Sequence, residues 1–235
     1  MKEDLIIPTH IAIIMDGNRR WARGKHLPQN MGHKKGVDRL EEISKYAQKI
    51  GVKYLTVYAF STENWNRTKE EVDFLMDLLA QNIRDFDKRF DDRNVRIKMI
   101  GDIERLPQKL QDGIKDISEK TKNNDGLTVN VAINYGGRDE IKNATLNIAK
   151  DVKEGKISVE DINEELLTKY MYTGLEPDPD LIIRTAGEER LSGFLTWQSV
   201  YSELYFTNTL WPDFDSKELD KAIEEFNNRK RNFGK

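Results

Sequence analysis

Six short apolar runs recur along the chain, separated by longer stretches in which apolar residues return every third or fourth position. The runs are Ile11–Met15, Tyr54–Phe60, Val95–Ile100, Leu127–Ile133, Leu181–Ile183 and Leu204–Phe206. Runs this short with polar flanks predict strands, most of them buried on both faces. Between the first two, Val37, Leu40, Ile43, Tyr46, Ala47 and Ile50 share one face of a helix that begins after Gly36, with Gly51 suited to its C-terminal cap. A second stripe, Val72, Leu75, Leu78, Leu79, Ile83, Phe86 and Phe90, follows Thr68 and Glu71 in capping-box spacing. Further helices are predicted over 107–122, 138–153, 160–171 and 216–231. This alternation predicts an α/β fold, a single domain over residues 1–235 with a six-stranded, mainly parallel sheet flanked by helices.

Composition narrows the picture. The 235 residues show no repeat, no low-complexity tract and no Gly/Ser/Pro linker. There is no cysteine, which excludes disulfides and Cys-ligated zinc and fits a reducing compartment, so a cytoplasmic location is expected. Acidic residues number 41 and basic residues 38, giving a net charge of -3 and no bulk electrostatic reason to bind nucleic acid. Any anion site must therefore be local. No apolar stretch reaches the length of a transmembrane segment, and MKEDLIIPTH lacks the apolar region of a secretory leader.

In an open parallel sheet, ligands gather beyond the carboxyl ends of the strands, so the loops there come first. Met15-Asp16-Gly17-Asn18-Arg19-Arg20-Trp21 ends an apolar run in a carboxylate, a Gly-Asn pair and two guanidinium groups. That set suits a diphosphate and a hard cation, although Asp16 would equally serve as the N-cap of an ordinary strand-to-helix turn. Phe60 is followed by Ser61, Thr62, Glu63, Asn64, Trp65, Asn66 and Arg67, dense in polar groups but also rich in capping residues. After Leu181–Ile183 come Arg184, Gly187, Arg190, Leu191 and Ser192, where two arginines around a Gly turn can embrace a second diphosphate or simply pair with Glu188 and Glu189. Glu203 stands at the edge of an aromatic run, where an acid calls for a partner or a metal unless it is solvated.

His33 lies just before the predicted first helix, able to assist phosphate binding or proton transfer or to play a structural part. The Asp91-Asp92 pair reads as solvated loop charge, without a third carboxylate at the spacing of an aspartate-rich metal motif. No GxGxxG or phosphate-loop pattern occurs.

Taken in order and spacing, HIAIIMDGNRRWA, GHKKG, YAFSTENWNR, NYGGRDEI, DLIIRTAGEERLSGFLTWQ and ELYFTNTLWPDF resemble the signature segments of the cis-prenyltransferase family. The resemblance runs from His10 to about Phe233. It implies a six-stranded parallel sheet with a hydrophobic tunnel, a homodimer, and magnesium-dependent condensation of isopentenyl diphosphate onto an allylic diphosphate, farnesyl diphosphate being the usual starter. The implied product is a long-chain polyprenyl diphosphate such as undecaprenyl diphosphate. By the same resemblance Asp16 binds Mg²⁺ and promotes loss of the allylic diphosphate, which Gly17, Asn18, Arg19, Arg20, His33 and Arg67 surround. Trp21, Ser61, Thr62, Glu63 and Trp65 complete that pocket, and Asn64 matches the proton acceptor, although an amide is a poor base. Arg184, Arg190, Leu191 and Ser192 match the isopentenyl diphosphate site, and Glu203 a second metal-linked carboxylate.

Several positions depart from the family pattern. Gln29 stands where Arg is frequent, Arg19 and Ala186 replace glycines, Gly193 stands where Asn is common, and Ile133 is bulkier than usual. The candidate tunnel wall is part of the Val72–Phe90 stripe with Ala59, Leu127 and Val129. The homodimer interface is expected to include Phe206–Phe233, and any membrane contact is expected to be peripheral, through the oily product.

Overall fold

The computed structural model describes residues 5–86 and 94–229. Each predicted run is a strand: β1 (His10–Ile14), β2 (Tyr54–Ser61), β3 (Arg96–Ile100), β4 (Thr128–Tyr135), β5 (Leu181–Arg184) and β6 (Glu203–Phe206). They form one sheet in the order β3-β4-β2-β1-β5-β6, with every neighbouring pair parallel. Successive residues of a strand point to opposite faces, and β1 shows why its run had to be apolar throughout. Ile11 and Ile13 pack in one cluster with Ile43, Ala47 and Leu219, whereas Ala12 and Ile14 join Ala132, Tyr135 and Phe194 in another.

Among the described residues the α-helices are α1 (Asn18–Gly24), α2 (Gln29–Ile50), α3 (Lys69–Arg84), α4 (Gln108–Thr121), α5 (Gly137–Lys153), α6 (Glu164–Tyr170) and α7 (Ser216–Asn228). Four expectations need correction. Helix α1 was not foreseen, and α2 starts at Gln29 instead of after Gly36, so His33 is helical. Gly32 and Gly36 look like helix breakers, yet their role is contact: a Cβ at Gly32 would stand 2.0 Å from the Asn18 carbonyl oxygen, and one at Gly36 2.4 Å from Asn18 Oδ1. The 160–171 segment divides into a 3-10 turn, Val159–Asp161, and α6. Strand β4 runs two residues past Ile133 to Tyr135. Gly51 caps α2 in the left-handed region as expected, and Phe90, Asp91, Asp92 and residues 230–235 lie outside the described residues.

The chain runs from β1 outward through β2 on one side and returns to place β5 on the other. Strand β1 is thus the point where the order reverses, and its carboxyl end and that of β5 form the crevice where such sheets bind ligands.

Candidate active site

Asp16 and Arg184 meet at this crevice. Gly17 turns the chain with φ of 103°, a left-handed geometry that favours glycine. A side chain there would also collide with Leu210 and Ala186. Asp16 Oδ1 accepts from the Gly17 amide at 2.7 Å and lies 3.6 Å from the Arg20 guanidinium, while Oδ2 accepts from Arg184 at 3.0 Å. The other terminal nitrogen of Arg184 donates to Ser192 Oγ at 2.8 Å and to the Arg190 carbonyl. Thr185 Oγ1 donates to the Asp16 carbonyl at 2.7 Å and Arg20 to the Ala186 carbonyl at 2.8 Å, locking the two loops together. Asp16 does not cap α1, whose N-cap is Gly17. Its carboxylate is committed to the crevice.

Two polar clefts flank Arg184. The first is lined by Asp16, Gly17, Asn18, Arg19, Arg20, Arg23, His33 and Arg67. Glu71 organises its cations, lying 2.8 Å from Arg67, 3.5 Å from Arg19 and 3.7 Å from His33. Thr68 caps α3 as expected, but Glu71 does not return the capping-box bond because its carboxylate faces these cations. Burial, reinforced by Arg67, lowers the His33 pKa to about 4 even though Glu71 opposes the shift. His33 is therefore neutral at pH 7 and can gain a proton when an anion arrives.

The second cleft lies across the sheet tips. Thr62, Glu63, Leu191 and Ser192 line it together with Arg138 and Lys142 of α5. Ser61 and Asn64 form the capping box of the 3-10 turn Thr62–Asn66, with Asn64 Oδ1 accepting from the Ser61 amide at 3.1 Å. Trp65 Nε1 donates to Asn134 Oδ1 at 2.7 Å, and its ring meets Phe60 edge-on. Trp21 is tied to Asp213 at 2.8 Å, and the Arg190 side chain pairs with Glu188 at 2.6 Å.

An apolar cavity leads away from the first cleft. Met15, Asn18 and His33 line both spaces. The cavity then runs between α2 and α3 over β2, β4 and β3, past Leu40, Leu79, Phe86, Val129 and Ile97. Of the expected wall, Ala59, Val129 and most of the α3 stripe are there. Leu127 is not: it is fully buried in the core cluster that also holds Val95, Ile117 and Val129. Ile133 faces the cavity, and Gln29 is exposed at the start of α2.

Glu203 is not brought to the crevice within this chain. It opens β6 opposite Leu181, at the amino end of β5, and pairs with Arg229 at 2.9 Å. Sequence reasoning missed Arg23, Glu71, Arg138 and Lys142. The three-residue spacing of Arg20 and Arg23 would have signalled the first had α1 been foreseen.

A fold of this kind with two cation-lined clefts around a shared arginine, one continuous with an oily cavity, defines an enzyme that handles lipid diphosphates. Residues 14–234 match the prenyltransferase family model described as "Putative undecaprenyl diphosphate synthase". The isoprenyl transferase of Clostridium tetani is 50% identical over 228 residues, covering 97% of this chain and 89% of that protein. Among solved structures, lavandulyl diphosphate synthase from Lavandula x intermedia, in complex with dimethylallyl diphosphate, superposes with a TM-score of 0.93 at 39% identity, covering 97% of this chain and 99% of that one. A "probable undecaprenyl diphosphate synthase" from Campylobacter jejuni gives 0.80 at 39% identity over 99% and 100% of the two chains. The chain belongs to the undecaprenyl diphosphate synthase family of prenyltransferases.

Proposed function

We propose that this prenyltransferase condenses isopentenyl diphosphate with an allylic diphosphate, farnesyl diphosphate being the expected starter, in a Mg²⁺-dependent cis elongation that ends in a long-chain polyprenyl diphosphate such as undecaprenyl diphosphate. One observation carries the reading: the buried Arg184 guanidinium joins Asp16 of the first cleft to Ser192 of the second, and only the first cleft opens into the apolar cavity. The allylic substrate, with its growing tail, belongs in the first cleft. Isopentenyl diphosphate, whose tail is five carbons, belongs in the second.

Mg²⁺ usually binds through one or two carboxylates completed by substrate phosphates and water. The donor set fits that habit. Asp16 offers a partly exposed carboxylate beside Arg19, Arg20 and Arg67, and no cluster of three or more metal-ligating side chains occurs among the described residues. Asp16 would hold the ion, which would neutralise charge on the departing diphosphate. Arg19, Arg20, Arg23 and Arg67 bind the leaving group, and neutral His33 donates to it or takes up a proton beside it. Arg184 fixes the two substrates relative to one another, supported by Ser192 and the Arg190 carbonyl. Asn64, whose carboxamide oxygen already accepts from Ser61, serves as a positioning group for Thr62 and Glu63. Glu203 lies too far from Asp16 within one chain to share its ion.

The protein is proposed to act as a cytoplasmic homodimer. The exposed Val200 and Tyr201, just before the edge strand β6, suit a subunit contact. Among the described residues no helix is long and apolar enough to cross a membrane, so contact with a bilayer would be peripheral and carried by the product. Incubation with farnesyl diphosphate, labelled isopentenyl diphosphate and Mg²⁺ should give a ladder of products with cis units. Absence of incorporation across a range of detergents would reject the assignment.

A further inference from the structure

Behind the second cleft lies a buried carboxylate that the proposed chemistry does not use. Glu140, in the first turn of α5, is 1% exposed. Its Oε1 accepts from the Tyr172 amide at 2.8 Å and from Gln198 Nε2 at 3.2 Å, and Oε2 accepts from the Tyr135 hydroxyl. Burial pushes its pKa up, and these three neutral donors oppose the shift. Removing one would leave a buried acceptor short of a partner, so the four groups hold one another in place.

The donors come from three separate places. Tyr135 ends β4, Tyr172 follows α6, and Gln198 belongs to the segment 191–199, which lends Leu191, Ser192, Gly193, Thr196 and Ser199 to the cleft. That segment has no helix or strand of its own, and two of its non-glycine residues, Ser192 and Leu195, hold left-handed φ values of 50° and 46°. Such backbone persists only where its surroundings fix it. Phe194 stacks on Tyr58 with 4.7 Å between ring centroids, the Gly193 carbonyl accepts from the Gly137 amide at 2.7 Å, and Gln198 reaches Glu140. The last two of these anchors end on the first turn of α5. On that helix Arg138 and Lys142 stand two residues either side of Glu140, about 200° around the axis, so an inward carboxylate sends both cations to the cleft that they line.

We infer that Glu140 is a positioning residue for the second cleft: through Gln198 it holds the 191–199 wall in register with Arg138 and Lys142, and so sets the fit of the diphosphate bound between them. The inference deepens the reading that isopentenyl diphosphate occupies this cleft, and rests on it.

Glu140→Ala should raise the KM for isopentenyl diphosphate by about tenfold or more, with the allylic KM moving less than about twofold. Glu140→Gln keeps the shape and an oxygen for Tyr172 and Gln198, and the Tyr135 hydroxyl can turn to accept from its carboxamide, so this variant should stay within about threefold of the wild type. Gln198→Met, which keeps bulk and removes the donor, decides the question if the alanine variant does not fold: its isopentenyl diphosphate KM should rise about fivefold. Combined with Arg138→Ala, Gln198→Met should cost less than the product of the two single effects, because both loosen one grip. Multiplicative effects, or equal rises in both KM values, would overturn the inference. Amide hydrogen exchange reads the tie without turnover: residues 191–199 should exchange faster in Gln198→Met while those of β1 keep their protection. Unchanged exchange at 191–199 would overturn it as well. If Arg138→Ala left the isopentenyl diphosphate KM untouched, the assignment of that substrate to this cleft would fall, while the exchange would still decide whether Glu140 holds the wall.

Discussion

The two clefts share Arg184 but differ in how they keep their cations without a ligand. In the first, several arginines and a buried histidine are held around Asp16 and Glu71, so internal carboxylates stand where a diphosphate would bring its charge. In the second, Arg138 and Lys142 project from the start of α5, where Lys142 pairs with Asp139 on the same helix. The first is thus preorganised by contacts between α1, α2 and α3, whereas the second depends on one helix and one loop. Preorganised charge acts most strongly where charge develops, which supports the proposal that the leaving group occupies the first cleft and the incoming nucleophile the second.

The sharpest way to break that contrast is Asp16→Ala. Turnover should fall by two to three decades, roughly 3–4 kcal/mol of transition-state stabilisation, with the far-ultraviolet dichroism of the folded chain retained. Near-normal turnover would show that Asp16 is not the organising carboxylate.

His33 gives the next largest effect and an imidazole titration that the second cleft, whose lining holds no histidine, does not share. Its pKa falls from 6.5 in the unfolded chain to about 4 in the folded one, chiefly through burial. As pH drops below 6.5 the unfolded chain takes the proton first, so stability declines until pH reaches about 4. The loss from this residue is roughly 3 kcal/mol at its limit. Urea unfolding at pH 7 and pH 4.5 should therefore show a larger acid loss in the wild type than in His33→Gln. Binding of inorganic diphosphate near pH 6, read from calorimetry in buffers of different ionisation enthalpy, should take up more protons in the wild type than in the variant, the ligand's own ionisation being common to both. Equal proton uptake in the two would place the titrating group elsewhere.

Much of this architecture was legible because strand burial leaves a plain mark. The runs at Ile11 and Leu181 had to be apolar on both alternating sets, and both proved to be neighbours in the sheet. The crevice residues Asp16, Arg20, Arg184 and Ser192 were legible for a related reason, since polar groups directly after such runs fall at strand tips. What failed to show depended on partners distant in sequence. Gly32 and Gly36 resembled the end of a loop because Asn18, whose backbone requires the first and whose side chain requires the second, lies in another helix. Glu71 matched a local capping pattern while its carboxylate served Arg19, 52 residues away. Glu203 followed the order of the family segments, but its register with Leu181 puts it at the opposite end of the sheet from Asp16.

A paired substitution sharpens the assignment of substrates. Arg67→Ala should raise the KM for the allylic diphosphate at least tenfold, about 1.4 kcal/mol or more, and leave that for isopentenyl diphosphate nearly unchanged. Arg138→Ala should do the reverse. If both variants disturbed the same substrate, the two clefts would have to be read as parts of one site.

The smallest effect asks most of the comparison, because it touches the residue the clefts share. Ser192 holds a φ of 50°, and alanine would carry the same backbone strain, so Ser192→Ala removes little beyond the hydroxyl that accepts from Arg184. Arg184 keeps Asp16 and the Arg190 carbonyl, so its guanidinium stays anchored on the first side and loosens on the second. Losing one bond to a charged donor at a half-open site costs about 1 kcal/mol, so the KM for isopentenyl diphosphate should rise about fivefold. The allylic KM should move less than twofold. An equal rise in both would mean that Arg184 shifts as a rigid unit, transmitting a change in one cleft to the other, and the division of labour drawn from the geometry would not hold.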